Sequence, residues 1–193
     1  MLNKKVTLLL FILLALVQLY VPAKMILRRE EIIATGSEYK FETAPVDPYD
    51  PFRGRYITLN FQETRVPVTD LSDWKEGDVV YAVLGTDEEG LAIFTEALKS
   101  PPDTSQDYLT TQVEYIVEHD EKGLVLMLPF NRYYMEEFKA PAAEQAYRDA
   151  ANSTGREASA LVMIKEGEAV LKDVLIDDVP IREYVEKAAD DQP

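Results

Sequence analysis

Within nine residues, Asp47-Pro48-Tyr49-Asp50-Pro51-Phe52-Arg53-Gly54-Arg55 gathers two carboxylates and two guanidinium groups on a backbone built to turn. Such a cluster is open to two chemistries. Carboxylate oxygens from Asp47 and Asp50 can hold a hard cation, and two arginines astride a glycine can clamp an anion. Neither is the expectation here. An aspartate before a proline is an ordinary turn former, because its side chain accepts from backbone amides two residues on. The alternating acidic pattern of a calcium loop is also missing. Arg53 belongs to the turn and Arg55 to the strand that follows, so the pair is not expected to act as one clamp. No metal and no cofactor is expected.

The remaining reactive side chains are few. His119 is the only histidine, in the polar phase of a predicted strand between Glu118 and Asp120, and there is no cysteine. A zinc site of histidines and thiolates is therefore excluded by count. So are disulfides, a cysteine nucleophile and lipid attachment at an N-terminal cysteine. No nucleophile-elbow sequence accompanies His119. A Ser–Lys protease needs a serine beside a lysine whose pKa is lowered by burial. Ser37, Ser72, Ser100, Ser105, Ser153 and Ser159 are the serines available, and none sits in the Ser-Met-x-Pro setting of signal peptidases. No catalytic residue is assigned.

Charge narrows the partners. The chain has 193 residues with 20 basic and 35 acidic side chains, a net charge of -15. All 35 acidic residues follow residue 23, and the part beyond it carries -17. Nucleic acid would be repelled by a domain of this charge and is excluded as a partner. An apolar fraction of 47% with only 8 glycines speaks for a globular body rather than a disordered one.

The elements that must position these residues begin with an anchor. Lys4 and Lys5 precede an apolar run from Val6 to Ala23 in which Gln18 is the one strongly polar residue. Eighteen residues of helix rise about 27 Å, close to the ~30 Å hydrocarbon thickness and longer than the core of most signal peptides. Lys24 to Ala34 keeps helical character, and Thr35-Gly36-Ser37 stops it. Residues 1–35 are thus expected to be a signal anchor with a juxtamembrane helix, 36–188 an extracytoplasmic domain, and 189–193 a frayed tail. Val21-Pro22-Ala23 leaves cleavage open. The N-terminus is placed in the cytoplasm, although Lys24, Arg28 and Arg29 compete from the other flank.

Beyond the anchor the period is mostly two. Tyr39 to Thr43 alternates, and from Arg55 onward Ile57, Leu59 and Phe61 share one face while Tyr56, Thr58 and Asn60 take the other. Three hairpins are predicted: VVYAVLG with LAIFTEAL (91–98), TQVEYIVEH (111–119) with LVLMLPF (124–130), and ALVMI (160–164) with AVLKDVLI (169–176). Each pair of apolar runs is joined by a charged turn containing glycine. Pro141 opens a helix whose inner face would be Ala143, Ala146, Tyr147 and Ala150, and IREYVEKAA makes a last short one. The expected fold class is α+β, mainly antiparallel β, as a curled sheet or a sandwich of hairpins with one or two short helices and an N-terminal transmembrane helix.

TAPVDPYDPFRGRYITLNF resembles a bacterial family of membrane-anchored proteins with the motif GDYxxLxY, often written PVDPRDPLRGDYVxLxY. Gly54, Tyr56 and Leu59 match, Arg55 stands where the family has aspartate, and Phe61 replaces the last tyrosine. EGDVVYAVL, LPFNRYYMEE (128–137) and VLKDVLIDD follow in family order, so the resemblance covers most of the chain. It implies membrane attachment and a multi-pass membrane protein as partner, and carries no reaction with it. Any role needing a carboxylate at position 55 does not transfer.

Function is therefore expected to lie in binding: a non-catalytic envelope module that binds or supports a membrane protein. The alternatives are an envelope hydrolase, Ser–Lys protease-like for example, and a glycan- or small-ligand-binding module. The candidate surface joins the 47–56 turn to Tyr133, Tyr134, Glu136 and Glu137, with tyrosine rings suited to protein or glycan contact. Arg55 has two readings. It pairs with Asp47, Asp50, Glu136 or Glu137, or it reaches water from the strand end. Thermal melting of R55E separates them: a lowered midpoint is expected from pairing, and an unchanged one rules pairing out.

Overall fold

The structure, a computed structural model, describes residues 4–44, 56–62, 64–103, 105–118, 122–136, 139–151 and 157–190. Asp47, Asp50, Arg53, Gly54, Arg55 and Glu137 lie outside the described residues, as does His119.

A single helix, α1 (Lys4–Thr35), unites the anchor and the juxtamembrane segment. Leu, Ile, Val and Phe on every side suit neither a buried stripe nor a water-facing one, and they are all exposed from Val6 to Val21. The exposed apolar surface also runs past Ala23, through Met25 and Ile26 to Leu27, which is 70% exposed. Val6 to Leu27 spans about 33 Å of helix, with Lys24 near enough to the end to reach the interface. The helix is long and apolar enough to cross a membrane.

The last turns of α1 belong to the folded domain. Ile32 is buried, and the Gly36 amide donates to the Ile32 carbonyl at 2.8 Å. A Cβ at Gly36 would lie 2.6 Å from that oxygen and 2.9 Å from the Ile164 carbonyl. Backbone meets backbone here, so no side chain can yield. G36A is expected to cost about 1–3 kcal/mol by overpacking, read as a lowered midpoint in urea unfolding of the full chain. An unchanged midpoint would mean that the helix end is not seated against Ile164.

Twelve strands follow among the described residues. They are β1 (Ser37–Ala44), β2 (Tyr56–Thr58), β3 (Asn60–Phe61), β4 (Arg65–Pro67), β5 (Val79–Thr86) and β6 (Ala92–Leu98), then β7 (Tyr108–Val117), β8 (Gly123–Leu126), β9 (Arg132–Tyr134), β10 (Ala158–Lys165), β11 (Glu168–Ile176) and β12 (Val179–Pro180). Helices α2 (Ala140–Ala151) and α3 (Ile181–Asp190) complete the chain. One sheet has the order β12-β11-β10-β1-β3, another β4-β8-β7-β5-β6, and β2 pairs with β9 apart from both. Every ladder is antiparallel. Isolated bridges at Lys40–Leu91 and Leu109–Gly167 tie the two large sheets together, so the fold is barrel-like and nearly closed.

All three hairpins expected from sequence form, as β5–β6, β7–β8 and β10–β11. A fourth, β11–β12, turns through Asp177 and Asp178 at φ 50° and 63°. It has no glycine to announce it, because aspartate is one of the few side chains that tolerates the left-handed region. Phe41 lies at the centre of the core, its ring 5.1 Å from Phe130, 6.0 Å from Phe94 and 6.1 Å from Phe61. Helix α2 buries Ala143, Tyr147 and Ala150 as its spacing predicts, with Ala146 half-buried beside them.

Candidate functional site

The motif strand does not run straight. Ile57 and Leu59 are buried and Asn60 is exposed, in keeping with the two-residue period. At Leu59, however, the chain changes partners. Tyr56–Thr58 pairs with β9, whereas Asn60–Phe61 pairs with the end of β1. The Leu59 amide spans the change by donating to the Asn131 carbonyl at 3.0 Å. Leu59 itself, 2% exposed, is core rather than contact surface.

Strand pairing brings the two tyrosine-bearing segments together. The register sets Tyr56 opposite Tyr134, Ile57 opposite Tyr133 and Thr58 opposite Arg132. The rings of Tyr56 and Tyr134 lie 5.6 Å apart, tilted by 53°. The Arg132 guanidinium stands over the Tyr56 ring at 5.2 Å, a cation–π contact that fixes both groups. Tyr134 remains 62% exposed, which makes it the most available aromatic of the ribbon. Glu136 pairs with Lys139 at 3.3 Å, and the same ammonium holds Glu186 of α3 at 2.6 Å. The Arg55 pairing expected there falls outside the described residues.

Tyr133 faces inward. Its hydroxyl donates to Asp173 Oδ1 at 2.9 Å, while the Arg182 guanidinium lies 5.8 Å from its ring. Burial first, then the hydrogen bond and charge of Asp173, push the phenol up to about 12, and Arg182 pulls the other way. Tyr39 is likewise pushed up to about 12 by burial and by Asp107, which accepts its hydroxyl at 3.1 Å. A phenol with a folded value above its unfolded value of about 10 favours the folded state fully below pH 10. That contribution is lost as pH rises toward 12. The melting temperature is expected to fall across this window, and to fall less steeply in Y133F. Equal slopes in Y133F and the parent would remove Tyr133 from the account.

Helix α1 is locked to the β10–β11 hairpin beside this ribbon. Arg28 holds Glu166 and Glu168 at 2.9 Å each and Glu31 at 3.2 Å. Lys165 reaches back to Glu31 at 2.5 Å and to the Thr35 hydroxyl at 2.9 Å. Its neighbour Arg29, about 100° further round the helix, points elsewhere. It lines a cleft of about 470 Å³ whose other walls include Arg132, Tyr134, Leu171, Lys172 and Arg182. Strands β9 and β11, the start of α3 and the juxtamembrane turn of α1 all contribute. Sequence reasoning missed Arg29, Arg132, Lys172 and Arg182 as a group. Each is an ordinary cation in its own segment, and the only local hint is that cations are scarce in this chain.

Among the described residues no group of three or more histidine, aspartate or glutamate side chains is placed to hold a metal ion. Ser159 is buried at 3% on β10, whereas Ser37, Ser72, Ser100 and Ser105 are exposed.

Neither the curated proteins nor the solved structures searched contain a match to this chain. A family model described as GDYXXLXY protein matches residues 18–174. The match takes in the second half of α1, the motif ribbon, the first two predicted hairpins and the third up to residue 174. On that match, which covers most of its length, the chain belongs to the GDYXXLXY protein family.

Proposed function

We propose that this chain is a membrane-anchored, extracytoplasmic, non-catalytic module that binds and supports an integral membrane protein through its β2–β9 ribbon. The observation that carries this reading is the seating of the helix. An apolar helix that floated on a flexible tether would let the domain wander, but α1 enters the domain unbroken and is pinned through Arg28, Glu31 and Lys165. A domain so held keeps one height and one face toward the bilayer and its neighbours. The ribbon stands next to that helix: Tyr134 and Arg29 line the same cleft. Exposed tyrosine and arginine are also the residue types that dominate binding energy at protein interfaces.

A photo-crosslinking residue at position 134 of the full chain, activated in native membranes, is expected to capture one integral membrane protein in near-stoichiometric yield. The same probe at Val79, exposed on β5, is the control. Equal capture at both positions, or none at 134, overturns the reading. Orientation has its own test, made simple by the absence of cysteine. E88C, in the exposed β5–β6 turn, is expected to react with a membrane-impermeant maleimide while the cytoplasmic membrane is intact. Labelling only after that membrane is opened would put the domain on the other side.

A further inference from the structure

We infer that the cleft between α1, β9, β11 and α3 binds a phosphate-ester anion, supplied by the headgroup of an anionic membrane lipid. Four cations line it, Arg29, Arg132, Lys172 and Arg182, and among the described residues no carboxylate does. That composition runs against the chain, in which acidic residues outnumber basic ones 35 to 20. Lys172 is partly neutralised, since Glu38 accepts from it at 2.8 Å. The three arginines have no carboxylate partner among the described residues. Arg132 and Arg182 are instead held by the faces of Tyr56 and Tyr133, contacts that orient a guanidinium without cancelling its charge. Asp173, the nearest acidic group on β11, is occupied by the Tyr133 hydroxyl and the Val174 amide.

Three guanidinium groups drawn from three separate elements, with no carboxylate partner among the described residues, repel one another, and an anion between them lowers that cost. The planar fork of arginine matches phosphate oxygens two at a time. At about 470 Å³ the cleft exceeds a lone inorganic ion and has an apolar stretch of wall at Ala169, Val170 and Leu171, which suits an esterified phosphate with carbon attached. Position supplies the source. Leu27 is the last exposed large hydrophobic residue on α1, and Arg29 stands two residues beyond it, about 3 Å along the axis. With Val6–Leu27 in the hydrocarbon, that wall of the cleft sits in the headgroup layer, where phosphodiesters are densest. This inference does not depend on a protein partner, and its test contains none.

Full-length protein in a neutral detergent is titrated with dioctanoyl-phosphatidylglycerol, dioctanoyl-phosphatidylcholine and glycerol 3-phosphate, and bound ligand is counted by native mass spectrometry. One phosphatidylglycerol per chain is expected, about tenfold tighter than phosphatidylcholine, because the choline ammonium sets a like charge against the guanidinium groups that hold the shared phosphodiester. The R29Q/R132Q/R182Q variant is expected to lose that preference. R29Q alone is expected to weaken binding while melting with the parent, because Arg29 has no partner among the described residues to lose. Glycerol 3-phosphate binding as tightly as the lipid would support the anion site but assign it a soluble ester. No saturable binding of either anion, no preference over phosphatidylcholine, or unchanged binding in a folded triple variant overturns the inference.

Discussion

Replacing Phe41 by alanine is expected to destabilise the domain by about 3–5 kcal/mol, the range for deleting a buried phenylalanine side chain. Phe41 is 1% exposed at the middle of β1 and touches the rings of Phe61, Phe94 and Phe130. Those neighbours come from the end of the motif on β3, from the second large sheet and from the turn that leads into β9. One side chain therefore holds the two sheets and the motif ribbon to a common centre. Removing it leaves a cavity lined by rings that cannot collapse far, because each is held by its own backbone segment. F41L, which keeps most of the volume, is expected to cost less than half as much. Urea unfolding of the full chain in detergent, followed by far-ultraviolet circular dichroism, measures both. An F41A midpoint within error of the parent would show that the aromatic cluster is not the centre of the core.

The second large effect is expected at Gly167, where valine should cost about 2–4 kcal/mol. Two penalties combine there. The residue has φ +82°, a region that costs an L side chain about 1–2 kcal/mol. A Cβ would also overlap Thr110 Oγ1 and the ring edge of Tyr108, and overpacking of that kind costs about 1–3 kcal/mol. The tip of the β10–β11 hairpin is pressed against β7 here, with the Thr110 amide donating to the Gly167 carbonyl at 2.8 Å. A double-mutant cycle separates the two parts. T110A in the G167A background should recover the part of the steric share that Thr110 Oγ1 contributes, and leave the Tyr108 overlap and the conformational part. Failure of T110A to recover anything would mean that the hairpin tip does not rest on β7. Because Glu166 and Glu168 on this tip grip Arg28, G167V is also expected to raise hydrogen exchange in residues 28–35. It would loosen the join between α1 and the domain.

Most of the elements were legible in the residues. Apolar side chains on every side of residues 6–23 specify a helix long and apolar enough to cross a membrane. Lys165-Glu166-Gly167-Glu168 specifies a hairpin, because a two-residue turn between apolar runs needs φ > 0 at both central positions and glycine supplies one. The alternation of Ile57, Leu59 and Phe61 correctly sorted core from surface. It could not show that the run changes partners at Leu59, since both partner strands accept the same phase.

Features of short period were thus settled locally: the N-terminal helix, the three glycine-containing turns, the buried faces and the family motif around Gly54, Tyr56 and Leu59. Tertiary structure alone decided which cations meet. Arg28 and Arg29 are adjacent in the chain, yet one is spent on Glu166 and Glu168 and the other faces the cleft. Arg132 and Arg182 join it from far along the chain. Local periodicity says which way a side chain points from its own backbone. Which other backbone lies opposite depends on strand order and on the closing of long loops, and no neighbouring residue carries that information.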